Sequence, residues 1–344
     1  MEIRKSILDL ADLYDAFFVD MYGVLYDGVS LYNGTLDTMK KLRNLGKKIV
    51  ILSNSTQVAV DAKLGYAQRG MLEVVHFDEV VTSGEFLYHS VTNNIKKFAD
   101  TVGSNVNSVK CLFMGNGNVF DDSPINRIDD YDEADFIYVG VPRASYGSVR
   151  IDDVLVDNVP INIEDVVYQD WSCIKDSFGR RGFAEFDHIL KICLQKNKVL
   201  VVANPDIFAH GSVRNSSKKV PIVTQGCIGK YYEKLGGKVV YFGKPYGGIF
   251  EYAAKFIDTN DRVAMVGDTP WTDVMGAINA GLSSVLVTTG ITEEFCDQMD
   301  LALSDEEKIT LLLGSTSSRM SNFTVDIHPT HVVKRFAAID DPSD

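Results

Sequence analysis

Six short apolar runs, each stopped by a polar or glycine cluster, constrain this chain more than any other feature. They are AFFVD (16–20), KKIVILSNST (47–56), KVLVVANPD (198–206), KVVYFGKPY (238–246), DRVAMVGDTP (261–270) and SSVLVTTG (283–290). A continuous apolar run of this length reads as a strand buried on both faces, the condition of a parallel sheet. Stretches with helical spacing follow several of them, among them LDTMKKLRNLG (36–46), GGIFEYAAKFI (247–257) and TDVMGAINAG (272–281). Strand, loop, helix, strand predicts a doubly wound α/β fold, and in such sheets ligands collect at the carboxyl ends of the strands.

From about Glu85 to Val220 the pattern changes. Strand candidates VKCLFMG (109–115) and ADFIYVGVP (134–142) stand among long acidic segments such as RIDDYDEADF. This predicts a second α/β domain inserted into the first. The expected division is a discontinuous core at 1–85 and 221–340, an inserted domain at 86–220, and a frayed end at 341–344.

A chain of 344 residues, 45% hydrophobic and 24% charged, has the composition of an ordinary globule. Its formal charge of −13 argues against nucleic acid and anionic membrane as partners. A small anionic substrate stays open, because distant surface charges are screened over roughly 8 Å in physiological salt. The five cysteines form no C-x-x-C pair, which suggests neither a disulfide framework nor a zinc site. No apolar run approaches the ~18 residues of a membrane span, and the first residues lack a signal-peptide layout. A reducing, cytoplasmic setting is the expectation.

Four strand ends carry residues that could do chemistry. Asp20 ends the first run, Ser53 and Asn54 the second, Lys244 a later one, and Asp268 another, with Asp273 five residues on. Taken singly, Asp, Ser or Asn after a strand is a common helix N-cap, and a loop lysine is a common solvated charge. Together, two acids, a lysine and a hydroxyl at one sheet edge would be costly without a purpose, because unpaired charges resist burial. Facing carboxylates call for a hard cation such as Mg²⁺, which binds through one or two carboxylates and substrate phosphate. Gly23 would let backbone N–H groups approach an anion. The set suits phosphoryl transfer, with Asp20 able to attack phosphorus.

The order D-x-x-G-V-L, S-N-S, GKP and GDxxxxD resembles the haloacid dehalogenase superfamily of phosphatases, and most closely its NagD-type branch (subfamily IIA). TSGE (82–85), ANPD (203–206) and TGI (289–291) fall where that branch has related segments. The resemblance implies a Rossmann-like core with a C2-type inserted cap, Mg²⁺ as cofactor, and a small phosphorylated metabolite as substrate. It also implies a possible homodimer through the cap. It assigns Asp20 as nucleophile and metal ligand, Ser53 and Asn54 to the transferring phosphate, and Lys244 to Asp20 and the phosphoryl oxygens. Asp268 becomes a metal ligand, Asp273 acts on the metal through a bound water or toward Lys244, and the backbone carbonyl of Tyr22 completes the protein's share of the metal shell.

One position departs from the pattern. The family carries a second aspartate, its general acid and base, where this chain has Tyr22. Proton transfer of that kind is worth typically ~10²–10⁴-fold in rate, and a phenol with a pKa near ~10 is a poor base at neutral pH. Three consequences are open: a slow enzyme or one restricted to good leaving groups, recruitment of Asp27 as a substitute, or a protein that binds phosphorylated ligands without turnover. The plain reading of Asp27-Gly28 is a turn. A receiver-type signalling domain fits Asp20, Ser53 and Lys244 but not the length or the late GDTPWTD. GNGNVF (115–120) lacks the third glycine of a dinucleotide loop. Arg143 could contact substrate. Trp171 and Trp271 read as packing residues, Trp271 also as a pocket lining.

Overall fold

The computed structural model describes residues 2–114, 117–140, 143–144, 147–148, 184–212, 219–297, 299–319 and 327–338. Trp171 and residues 339–344 lie outside them, as does the side chain of Arg143. Strands, in chain order, are β1 (Ile3–Ser6), β2 (Ala16–Val19), β3 (Lys48–Ser53), β4 (Glu79–Thr82), β5 (Val109–Met114), β6 (Ile125–Ile128), β7 (Phe136–Val139), β8 (Arg143–Ala144) and β9 (Gly147–Ser148). They continue with β10 (Val199–Val202), β11 (Phe208–Ser212), β12 (Lys219–Val223), β13 (Val239–Tyr241), β14 (Val263–Gly267), β15 (Ser283–Val287) and β16 (His331–Arg335). The chain divides into two compact units, one of residues 1–53, 59–82 and 244–344, the other of residues 54–58 and 83–243.

The first unit is built on a seven-stranded sheet in the order β1-β16-β15-β14-β2-β3-β4, and every pairing is parallel. All four residues of β2 and all five of β14 are buried, as the apolar runs require. Alternate residues serve opposite faces. Val285, Val287 and Val333 pack with Met39 and Leu42 of the helix Thr35–Asn44. Leu286 and Val332 pack with Ile309 and Leu313 of the helix Asp305–Arg319. The order places a switch point between β2 and β14: from β2 the chain builds outward through β3 and β4, and the later strands extend the other side. Such a point opens a crevice at the carboxyl ends.

The second unit has its own parallel sheet, β13-β10-β7-β5-β6, and two small antiparallel ladders, β11/β12 and β8/β9. Its core gathers Phe98, Phe120, Phe136, Tyr138 and Val201. The unit runs on to Gly243, past the expected residue 220, because β13 pairs with β10. The runs around 199–202 and 239–241 therefore belong to this second sheet. An apolar run signals burial but does not say which sheet buries it. Among the described residues no helix is long and apolar enough to cross a membrane.

Candidate active site

Register alone brings the first two acids together. Val19 pairs with Val266, and the backbone N–H of Asp20 donates to the Val266 carbonyl at 2.9 Å. Asp20 and Asp268 thus leave adjacent strands at the switch point. Asp273 follows in a π-helical turn, Pro270–Val274, and its N–H donates to the Thr269 carbonyl at 2.9 Å. One carboxylate oxygen from each of Asp20, Asp268 and Asp273 lies within 4.8 Å of the others. Sequence reading expected TDVMGAINAG as one helix; the wide turn comes first, and the regular α-helix is Met275–Asn279.

Lys244 follows β13 of the other sheet, yet it belongs to the first unit and is 1% exposed. Its Nζ lies 2.9 Å from Asp20 Oδ1 and 2.7 Å from Asp273 Oδ1, and it donates to the Leu52 carbonyl at 2.9 Å. These three acceptors match the three donors of an ammonium. Burial alone would lower the lysine pKa; the charges of Asp20 and Asp273 outweigh it and hold the ammonium well above its usual range. Asp268 goes the opposite way to an ordinary ion-paired acid. Burial, then the Asp273 and Asp20 charges, raise its carboxyl well above the usual range, against hydrogen bonds that lower it. Three carboxylates against one ammonium leave a buried excess of negative charge. An all-oxygen cluster with that excess fits a hard divalent cation.

The surroundings of Asp268 were not assigned from the sequence. Its Oδ2 accepts from the Ile291 N–H at 2.7 Å, its Oδ1 from Thr269 Oγ1 at 3.1 Å, and its carbonyl from Thr292 Oγ1 at 2.6 Å. Thr289 Oγ1 donates to the Gly23 carbonyl at 2.5 Å, which ties the turn after Asp20 to the end of β15. Gly23 (φ +81°) and Gly290 (φ +63°) both lie against this carboxylate; a Cβ on either would come within 1.9 and 2.1 Å of Asp268 Oδ2. Only glycine allows both the approach and the left-handed backbone. The sequence signal was the TGIT (289–292) after a strand, whose contribution is two hydroxyls, an N–H and an absent side chain.

Ser53 is buried at the end of β3, the neighbour of β2, and pairs with Thr82. Asn54 belongs to the second unit, where its Nδ2 donates to Asp206 Oδ1 at 2.8 Å and its Oδ1 accepts from Ser83 Oγ at 3.3 Å. The structure therefore groups Asp20, Lys244, Asp268 and Asp273 through contacts of their own, while Asn54 is engaged within the other unit. Asp27 Oδ1 accepts from the N–H groups of Val29 and Ser30 at 2.8 and 2.7 Å, closing the turn at Gly28. Trp271 packs edge-on against Phe295, with ring centroids 5.5 Å apart.

Tyr22 is 50% exposed, and its ring meets Tyr26 edge-on at 5.5 Å. The Arg69 guanidinium sits 4.7 Å from the Tyr26 ring centroid. Protein packed around the phenol raises its pKa, with the Tyr26 and Asp20 charges acting in the same direction. The half-exposed ring keeps that rise smaller than full burial would give, but the direction is upward on every count except Arg69.

The first unit is thus a parallel α/β sheet with three carboxylates gathered at its switch point, two of them on one buried lysine. A haloacid dehalogenase-like hydrolase model matches residues 17–119, and a second model of the same kind matches residues 241–311. The chain belongs to the haloacid dehalogenase-like hydrolases and is an enzyme of that family. It is 23% identical over 306 residues to phosphoglycolate phosphatase 2 of Arabidopsis thaliana, covering 84% of this chain and 88% of the relative. A 68-residue match to the 5'-nucleotidase YutF of Bacillus subtilis is 41% identical but spans 19% of this chain and 27% of that protein. The crystal structure of a possible sugar phosphatase from Cytophaga hutchinsonii aligns over 98% of this chain and 99% of its own, with a TM-score of 0.64 at 19% identity.

Proposed function

We propose that the protein is a Mg²⁺-dependent phosphatase that hydrolyses a small phosphomonoester, a sugar phosphate or similar metabolite, through an aspartyl-phosphate on Asp20. The observation that carries this reading is the cluster of Asp20, Asp268 and Asp273 around the buried ammonium of Lys244. The relatives named above as phosphatases support the substrate class.

Lys244 holds Asp20 Oδ1, which orients the second oxygen for attack. That oxygen bonds to phosphorus as the bond from phosphorus to the leaving oxygen breaks, and the electron pair departs with the leaving group. Water then attacks phosphorus, the bond to Asp20 breaks, and the carboxylate is regenerated with release of phosphate. Ser53 and the backbone at Tyr22 and Gly23 bind the phosphoryl oxygens. Asp20, Asp268, Asp273 and the Tyr22 carbonyl would hold Mg²⁺, which when bound would supply positive charge against those oxygens.

The leaving oxygen takes its proton from water in this scheme. A phenol whose pKa is raised is a poor base, and Asp27 is occupied in its turn. Substrates whose leaving groups need little protonation are therefore favoured. Release of p-nitrophenol from p-nitrophenyl phosphate with and without Mg²⁺ tests the core of the proposal. Asp20→Asn should lower it by about 10⁴-fold or more, as removal of a nucleophile does elsewhere; retention of wild-type turnover sinks the aspartyl-phosphate. Tyr22→Asp should raise turnover of alkyl phosphates by ~10²-fold or more, and an unchanged rate removes the missing acid as the limit.

A further inference from the structure

Five apolar side chains follow Asp20 between Met21 and Tyr26. Met21, Val24, Leu25 and Tyr26 are buried, and only Tyr22 stands half in solvent. Its surroundings are fixed. The Gly23 N–H donates to the Tyr26 carbonyl at 2.9 Å, the Tyr26 hydroxyl donates to the Gly28 carbonyl at 2.8 Å, and the Tyr22 ring meets Tyr26 edge-on at 5.5 Å. Core packing does not account for Tyr22, because half of its surface gains nothing from burial.

Arg69 follows the helix Ala59–Gln68 and is exposed. Its guanidinium lies over the Tyr26 ring, 4.7 Å from the centroid. One of its N–H groups donates to the Gly65 carbonyl, and it pairs with no carboxylate among the described residues. Most of its five donors therefore stay available. Tyr26 is thus the shared neighbour of an open ring and an uncompensated cation. The buried Tyr66 hydroxyl ties both to the nucleophile: burial raises its pKa, the Tyr22 and Asp20 charges add to the rise, and the Arg69 charge opposes it. All three groups lie within electrostatic reach of that one hydroxyl.

The scheme above has the leaving oxygen take its proton from water, which favours an oxygen whose charge is spread over a conjugated ring. A planar ring stacks favourably on an open aromatic face. An acid substituent finds in Arg69 a cation that no protein carboxylate occupies. Building on the phosphatase reading, we infer that the leaving group is a planar aromatic ring bearing a second acid group, its ring on Tyr22 and its acid on Arg69. The ester bond then breaks with its electron pair on the ring oxygen, which departs as a phenolate and is protonated by water.

Phosphonates, which are not hydrolysed, read this binding apart from turnover. In calorimetric titration of the full chain with Mg²⁺ present, 3- or 4-(phosphonomethyl)benzoate should bind about tenfold or more tighter than the matching benzamide. The same benzoate should bind about threefold or more tighter than 4-phosphonobutyrate, which has the acid without the ring. Arg69→Gln should abolish the preference for benzoate over benzamide. Tyr22→Leu should weaken the benzoate by about threefold or more, and Tyr22→Phe, which keeps the ring, should restore it. In turnover, 4-carboxyphenyl phosphate should exceed 4-carbamoylphenyl phosphate in kcat/KM by about tenfold, although the carbamoyl phenol is the more acidic leaving group. Absence of binding by both benzoates, equal binding of benzoate and benzamide, a preference that survives Arg69→Gln, or wild-type affinity in Tyr22→Leu overturns the inference. Mg²⁺-dependent release of p-nitrophenol decides the phosphatase reading separately. If that release occurs while these comparisons fail, the reading stands and the inference falls.

Discussion

The two units contain the same kind of sheet and use its carboxyl edge for different ends. In the second unit the polar group at that edge is Gln225, which is buried and neutral. It accepts from the N–H groups of Ala203 and Asn204 at 3.0 and 2.9 Å, and its amide donates to the Tyr138 hydroxyl at 3.1 Å and to the Val139 carbonyl. Each partner comes from that unit's own strand ends, and the group is satisfied without a ligand. In the first unit the edge carries Asp20, Asp268 and Asp273 against Lys244, a set left with surplus negative charge. Among the described residues it is the one cluster of acidic, histidine or cysteine side chains with metal-binding spacing. Burial of a polar group therefore does not separate function from structure. An unneutralised charge does.

Lys244→Met should break this contrast most severely. Removing one member of a buried charge set costs roughly 3–5 kcal/mol, because the remaining charges lose their partner. Denaturant unfolding would measure the loss, and activity should fall in the protein that remains folded. A stability within error of wild type would mean that the ammonium does not hold the edge together. Gln225→Leu should act through stability alone. It strands two backbone N–H groups at a cost of about 1–3 kcal/mol, with turnover per folded molecule unchanged; a matching drop in turnover would give the second sheet edge a catalytic part.

The smallest effect follows pH. The Asp268 carboxyl is raised in the folded protein, so the folded state binds more protons than the unfolded state between the ordinary carboxylate value, roughly 3.9, and the raised one. Stability of the metal-free protein should fall as pH rises through that window. Mg²⁺ should restore it at neutral pH and do little at the acid end. Tm measured against pH with Mg²⁺ and with chelator checks this, and parallel curves would show that the cluster does not bind the ion.

Much of the acid site was legible because its members follow apolar runs. Asp20 after AFFV and Asp268 after VAMVG needed only the rule that parallel strands end where ligands bind. Lys244 was legible by its motif but misread in its setting, since β13 pairs with the second sheet. The support of Asp268 was hidden for another reason. Thr289, Gly290 and Ile291 act through a hydroxyl, a missing Cβ and an N–H, and a string of side chains does not display those. The boundary at 243 was equally hidden, because strand partners 39 residues apart (Leu200 with Val239, Val202 with Tyr241) are fixed by packing rather than by any local pattern.

The pairing of β2 with β14 joins Val19 to Val266, and the whole second unit lies between them in the chain. On a ribosome, where the amino-terminal part emerges first, β2 therefore waits with one flank bare until residues 263–267 have been made. The five strands of the second unit's parallel sheet are all available by Tyr241, before that flank can close. Assembly order is thereby written into topology: the strand that leads to Asp20 is among the earliest synthesised and among the last to be enclosed, and a truncated product ending before Val263 would expose one unpaired flank of an apolar strand, a template for aggregation.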